Sequence, residues 1–213
     1  MRIIAIGAHL DDIELACGGT LAKAVEDGGA VKMVVLSRSG YTYHDGRVMR
    51  LDETALDEGR QAAAVLGVDD LIVLDWPAKD IPYHSEVVEP LDRLITDFGP
   101  DLIFGHWPFD THQAHQATSL STISAARYFN SILLYEPITP SGRSYVAFRP
   151  QVYSDITGFI DQKIESLKAH RTEYEKYGER WLRAVRARAN HRGFEMGVDY
   201  AEAFEVMRLE LKI

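Results

Sequence analysis

The chain has 213 residues, 46% of them hydrophobic and 26% charged, an ordinary globular make-up that predicts one compact domain over residues 1–213 rather than a disordered or fibrous chain. A formal charge of −9 argues against a nucleic-acid partner, because phosphate binding needs a concentrated basic surface. No stretch approaches the roughly 20 apolar residues of a membrane span, and the lone Cys17 excludes an internal disulfide and a thiolate-rich zinc cluster, leaving His and carboxylates to hold any metal.

The opening MRIIAIGAHLDD meets charge after about six apolar residues, unlike a secretory signal, so a cytoplasmic protein is expected. Residues 2–8 form a nearly continuous apolar run that reads as a strand buried on both faces. The next helix carries Leu15, Leu21, Ala22 and Val25 towards a core and closes near Gly28 and Gly29. Gly18 and Gly19 inside it cost about 1 kcal/mol each against alanine, which points to a break or to the close approach of another backbone.

Residues 31–36 supply a second buried strand. The alternation continues with a helix over 52–66 ending at Gly67, a strand over 71–76, a helix over 86–98 ending at Gly99, and a strand over 101–107. A helix over 113–129 and a strand over 132–136 complete it, and strand–helix alternation predicts an α/β fold: a Rossmann-like three-layer sandwich with a mostly parallel sheet. Pro137, Pro140, Gly142 and Pro150 then mark a loop-rich passage. A strand over 152–156, helices over 159–174 and 180–189, and a closing strand over 204–211 follow.

Ligands of open parallel sheets bind outside the carboxyl ends of the strands, and two polar clusters fall at such ends. In the first, His9, Asp11 and Asp12 stand where the first strand stops. Aspartate commonly caps a helix, which is the plainer reading of either carboxylate taken alone. Three ionisable groups in four residues fit a metal site better, with His9 and one Asp as ligands. The neighbouring carboxylate is then free to take a proton from water, which assigns Asp12 to the metal and Asp11 to the base.

In the second cluster, HWPFDTHQAH, His106, Asp110, His112 and His115 follow the strand over 101–107. A helix starting near His112 puts His112 and His115 on one face, one to bind metal and the other to contact substrate. Asp110 or Thr111 suits the cap of that helix, with Gln113 completing a capping box, while Asp110 equally suits support of a ligand. His106 reads more simply as a satisfied strand histidine.

The pair AHLDDIELACGGTLA and HWPFDTHQAHQAT, with the late segment RGFEMGVDYAEAF, resembles the LmbE-like or PIG-L family of zinc-dependent N-deacetylases along essentially the whole chain. The resemblance implies His9, Asp12 and His115 as ligands of Zn2+, with Fe2+ or another divalent ion as the alternative. It implies Asp11 as general base, and His112 as the donor that stabilises the oxyanion or protonates the leaving amine. It further implies hydrolysis of the N-acetyl group of an N-acetylglucosamine-type sugar or sugar conjugate, with water activated by the metal; a homo-oligomer is expected as well. The pattern departs at four places. Leu10 replaces a frequent Pro, Ala114 replaces an Asp that would support His112, and Ala55 and Trp181 stand where relatives carry Arg and Tyr. Without that Asp the support passes to Asp110, or His112 titrates lower.

Two other classes compete with this reading: a non-catalytic nucleotide- or metal-binding protein of the same fold, disfavoured because G-x-G-x-x-G is absent, and a metallohydrolase acting on a non-sugar amide or an ester. Arg180, Arg183, Arg186, Arg188 and Arg192 read as a solvated helix face, with an acidic substrate or an oligomer contact as the alternatives. Tyr41, Tyr43 and His44 suit a substrate-covering loop or an ordinary exposed one.

Overall fold

The computed structural model describes residues 1–138 and 141–210. Its elements in chain order are β1 (Arg2–Gly7), α1 (Asp12–Glu26), β2 (Ala30–Ser37), β3 (Tyr41–Thr42), β4 (Val48–Arg50), α2 (Asp52–Val65), β5 (Asp70–Trp76) and α3 (Ser85–Phe98). They continue with β6 (Leu102–Gly105), α4 (Gln113–Ala125), β7 (Ile132–Tyr135), β8 (Val152–Asp155), α5 (Ile160–Ala169), α6 (Arg171–Tyr177), α7 (Glu179–Met196) and β9 (Ala201–Arg208). Pro140 of the expected loop and position 211 of the expected last strand lie outside the described residues.

Seven strands form one sheet in the order β5-β2-β1-β6-β7-β9-β8, and β3 pairs with β4 in a separate hairpin. The five strands from β5 to β7 run parallel, whereas β9 is antiparallel to both β7 and β8. Because β1 is flanked on both sides, its side chains alternate between two buried faces. Ile3 and Ala5 pack with Leu21 of α1 and Ala63 of α2, while Ile4 and Ile6 pack with Leu91 and Ile95 of α3 and Ala125 of α4. This alternation makes the three layers, and a third cluster joins Ile156 to α5 and α7. No helix among the described residues is long and apolar enough to cross a membrane.

Several expected boundaries move, two of them for a visible reason. The helix expected over 159–174 is two helices, α5 and α6, because His170 leaves helical geometry (φ −75°, ψ 67°) and its ring is buried among Glu14 and Arg50. The helix expected over 113–129 stops at Ala125, where Arg208 of β9 donates to the carbonyls of Ala126 and Arg127 and satisfies the helix end. Of the two features expected at Gly18 and Gly19 the break is present, whereas the close neighbour is a side chain and not another backbone. Cys17 beside them is non-helical (φ −137°, ψ 17°), and a Cβ on Gly19 would stand 2.9 Å from Ile156.

The chain runs outward from β1 through β2 to β5, then returns to β6 on the other side of β1. Strand order therefore reverses between β1 and β6, and a crevice opens there at their carboxyl ends. Both histidine-rich clusters follow these two strands.

Candidate metal centre and active site

The loop after β1 turns sharply. Asp11 takes φ 141°, and Ser39 (φ 66°) is the other non-glycine residue with positive φ among those described. Such geometry costs about 1–3 kcal/mol and collects at functional sites; both residues line one cavity of about 330 Å³. Ser39 Oγ accepts the Leu10 N–H at 2.8 Å, which helps hold the turn in place.

Neither aspartate caps α1. Asp11 makes no side-chain bond to the helix start, and Asp12 Oδ2 instead accepts the N–H groups of Ala8 (3.1 Å) and His9 (2.7 Å). Asp12 is thereby aimed across the crevice towards β6. His115 Nε2 lies 3.3 Å from its Oδ1, and His106 Nε2 lies 3.2 Å from its Oδ2.

His9, Asp12 and His115 meet with their ligand atoms all within 4.8 Å of one another. The far side of each ring is anchored. His9 Nε2 stands 2.8 Å from the Ala78 carbonyl oxygen, and His115 Nδ1 stands 3.0 Å from Asp110 Oδ2. Both neighbours are acceptors, so each far nitrogen carries a proton, and in the neutral rings the lone pairs of His9 Nδ1 and His115 Nε2 face each other at 3.2 Å beside the Asp12 carboxylate. Three acceptors turned inward need a positive charge between them. The donor set of two imidazoles and one carboxylate suits Zn2+.

A proton meets the same need. Burial disfavours charge on His115, yet Asp12 and Asp110 outweigh it and push the imidazole up to about 10. Asp12 is likewise held well below the usual carboxylate range, because His115 and His106 overcome the cost of its burial.

Asp11 behaves oppositely. Burial, then the charges of Asp12 and Glu173, push its carboxyl up to about 7, with His170 and Arg50 opposing. These opposing groups belong to a buried network. His170 Nε2 lies 3.1 Å from Glu14 Oε1, and Arg50 bonds Glu58 (2.9 Å) and the Leu10 carbonyl (3.2 Å).

His112 occupies the cap of α4, and its Nδ1 accepts the Ala114 N–H at 3.2 Å. Neither Asp110 nor Thr111 takes that position. Asp110 Oδ1 accepts the His112 backbone N–H at 2.8 Å, and its other oxygen serves His115. With Ala114 offering no carboxylate, no acid among the described residues hydrogen-bonds the His112 ring, and Asp12 and Asp110 act on it only through their charge. Burial, then the neighbouring His115 and His9, lower it to about 4. Its proton therefore sits on Nε2, and the ring stacks on His115 at 4.5 Å, as the spacing of three on one helix face implies.

The sequence undervalued His106, which is buried and faces Asp12; its position at the end of a strand beside the reversal point was the available signal. It missed Arg50, Glu58 and His170, which no short motif connects. Of the arginine run, Arg186 pairs with Asp161, Arg188 donates to the Pro137 carbonyl and Arg192 pairs with Glu136. Tyr41 lines the cavity, and Tyr43 and His44 extend outward from it through edge-on ring contacts.

Comparison with known proteins places this arrangement in a family. The family model described as PIG-L, GlcNAc-PI de-N-acetylase, matches residues 4–126. The chain is 31% identical over 179 residues to the uncharacterized deacetylase YaiS of Escherichia coli, covering 80% of this chain and 90% of that protein. It is 26% identical over 216 residues to the diacetylchitobiose deacetylase of Thermococcus kodakarensis, covering 94% of this chain and 81% of that one. Among solved structures, the conserved protein TT1542 of Thermus thermophilus superposes with a TM-score of 0.82 at 25% identity, covering 99% of this chain and 96% of that one. The chain belongs to the PIG-L, or LmbE-like, family of deacetylases.

Proposed function

We propose that this protein is a metal-dependent N-deacetylase, acting through residues 1–213 as a single LmbE-like unit on an N-acetylglucosamine-type sugar or sugar conjugate. The observation that carries the proposal is the convergence of His9, Asp12 and His115, acceptors inward, with Asp11 and His112 on the wall of the same cavity. The relatives named deacetylases, one of them for diacetylchitobiose, support the same bond and substrate class.

His9, Asp12 and His115 would hold the ion, Zn2+ or another divalent metal such as Fe2+. Bound there, it would supply Lewis acidity of the kind that lowers the pKa of water and polarises a carbonyl. Asp11, ionised, takes the proton of the attacking water, and the new C–O bond forms at the acetyl carbon. His112 is neutral and carries its proton on Nε2, so it acts as hydrogen-bond donor to the negative oxygen that develops. It is too weakly basic at about 4 to arrive charged as the acid. Asp11, now protonated, returns the proton to the nitrogen as the C–N bond breaks, and acetate and the free amine leave. Asp110 and the Ala78 carbonyl orient the two ligand rings.

The test is release of acetate from N-acetylglucosamine glycosides by zinc-loaded protein, with elemental analysis alongside. Stoichiometric metal that disappears in His115→Ala, together with acetate release, is expected. Full metal occupancy in that variant would sink the ligand set, and metal retention without hydrolysis of any N-acetylated sugar would sink the activity.

A further inference from the structure

The deep end of the cavity is polar and holds the candidate chemistry. Its rim is built differently, from three segments distant in sequence: Tyr41 on the β3–β4 hairpin, Lys176 and Tyr177 at the end of α6, and Trp181 on α7. These side chains form one block. Lys176 Nζ stands over the Tyr41 ring at 5.1 Å and over the Tyr177 ring at 4.6 Å, and Tyr177 meets Trp181 at 6.0 Å. The Tyr41 hydroxyl lies 2.9 Å from Lys176 Nζ and 3.5 Å from Glu173 Oε1, which holds the ring against the cavity wall.

Packing alone does not account for the block. Tyr177 keeps 44% of its surface exposed while lining the cavity rim. Lys176 covers one face of the Tyr41 and Tyr177 rings, and aromatic rings that line a cavity bind flat, partly apolar partners, of which the C–H faces of a pyranose are one kind.

Charge narrows the class further. Lys176 is already matched by Glu173 and the Tyr41 hydroxyl, and Arg50 by Glu58. Around the whole cavity wall carboxylates outnumber Lys and Arg, five against three. The third cation, Lys79, donates to the Thr42 carbonyl and is paired with no acid among the described residues, so a phosphate or carboxylate arriving at the rim would meet one uncompensated cation within a wall whose charge is mainly negative.

We infer that the rim is a second sugar subsite, in which Tyr41, Tyr177 and Trp181 stack a neutral pyranose linked to the N-acetylated unit in the deep end. This inference rests on the proposed deacetylase reading for what occupies that deep end. Tyr41 and Trp181 then determine specificity, selecting a disaccharide or longer neutral glycan over a monosaccharide and over conjugates with an acidic aglycone.

Binding read without turnover tests it. Zinc-loaded Asp11→Asn protein is titrated with N-acetylglucosamine, with N,N′-diacetylchitobiose and with an N-acetylglucosaminide bearing a carboxylate aglycone, following tryptophan fluorescence and heat. Diacetylchitobiose is expected to bind at least about tenfold tighter than the monosaccharide, with an emission change that vanishes in Trp181→Phe. Tyr41→Ala and Trp181→Ala should weaken the disaccharide about tenfold more than the monosaccharide, and Tyr41→Phe, which keeps the ring, should not. Equal affinities for the two sugars, or equal losses in the variants, would overturn the subsite. So would a preference for the acidic conjugate over diacetylchitobiose, with Lys79→Gln and Lys176→Gln locating the cation responsible. Absence of acetate release from every sugar would defeat the proposed function and leave this binding result standing, so the two fail separately.

Discussion

Asp110 Oδ2 lies 3.0 Å from His115 Nδ1, on the side of the ring opposite the nitrogen that faces Asp12 at 3.3 Å. The carboxylate of this second motif thus supports the inward-facing histidine His115, while the neighbouring His112 is supported only by a backbone N–H. The proposed metal capture and the proposed oxyanion stabilisation should therefore be separable by mutation.

Asp110→Ala should lower zinc affinity by about 10- to 100-fold, the usual cost of losing the group that orients a ligand histidine. Competition with a chelating dye measures it. Activity at saturating zinc should recover most of its value, and an unchanged affinity would remove Asp110 from this role.

Zinc affinity should rise with pH. His115 is raised to about 10 in the metal-free protein, so at neutral pH its proton must leave before the lone pair can bind. Between pH 6 and 9 the apparent Kd should fall about tenfold per unit. Calorimetry in buffers of different ionisation heat should register the released proton, and a pH-independent Kd would contradict the assignment.

Asp11→Asn should retain metal and lose about two to four orders of magnitude in turnover. In the unsubstituted protein the rate should fall as acid protonates the base. The carboxyl stands at about 7 without metal, and a nearby divalent cation favours the charged form, so the acid limb belongs below 7. Glu173 raises this group; Glu173→Gln should therefore move the limb to lower pH, and a move upward would be inconsistent with the electrostatics described.

His112→Ala should reduce kcat by about 10²- to 10³-fold with zinc still bound, the typical loss of one oxyanion donor. His112→Gln, which keeps an N–H donor, should recover part of it. Loss of zinc in either variant would reassign His112 to the metal.

Gly19→Ala is expected to destabilise the fold by about 1–3 kcal/mol, because the added Cβ meets Ile156 and overpacks the core. Gly158, which has nothing near its Cβ position, provides the control. Thermal unfolding should separate Gly19→Ala from Gly158→Ala by several degrees.

Much of the candidate site's convergence was legible in the sequence because its residues are local to two strand ends. His9, Asp11 and Asp12 come from one turn, and Asp110, His112 and His115 from another, and buried parallel strands announce themselves by apolar runs. The rule for open sheets then brings the two turns together without coordinates. His106 needed more, since its importance comes from facing Asp12 across the crevice and not from its own neighbours in sequence. The division of α5 from α6 was illegible for a similar reason. No glycine or proline marks His170; the break follows from burial of its ring against Glu14 and Arg50, more than a hundred residues earlier.

The sequence by itself determined the layered α/β framework and the donor types at the crevice, because strand periodicity, helix ends and ligand chemistry are properties of short segments. Only the tertiary structure decided how those donors divide their work. It turned Asp110 towards His115 and away from the His112 side chain, set Asp11 near 7 while holding Asp12 far lower, and gathered Tyr41, Tyr177 and Trp181 at one rim. These outcomes depend on distances, burial and summed charge between segments remote in the chain, and those quantities exist only once the sheet has brought the segments together.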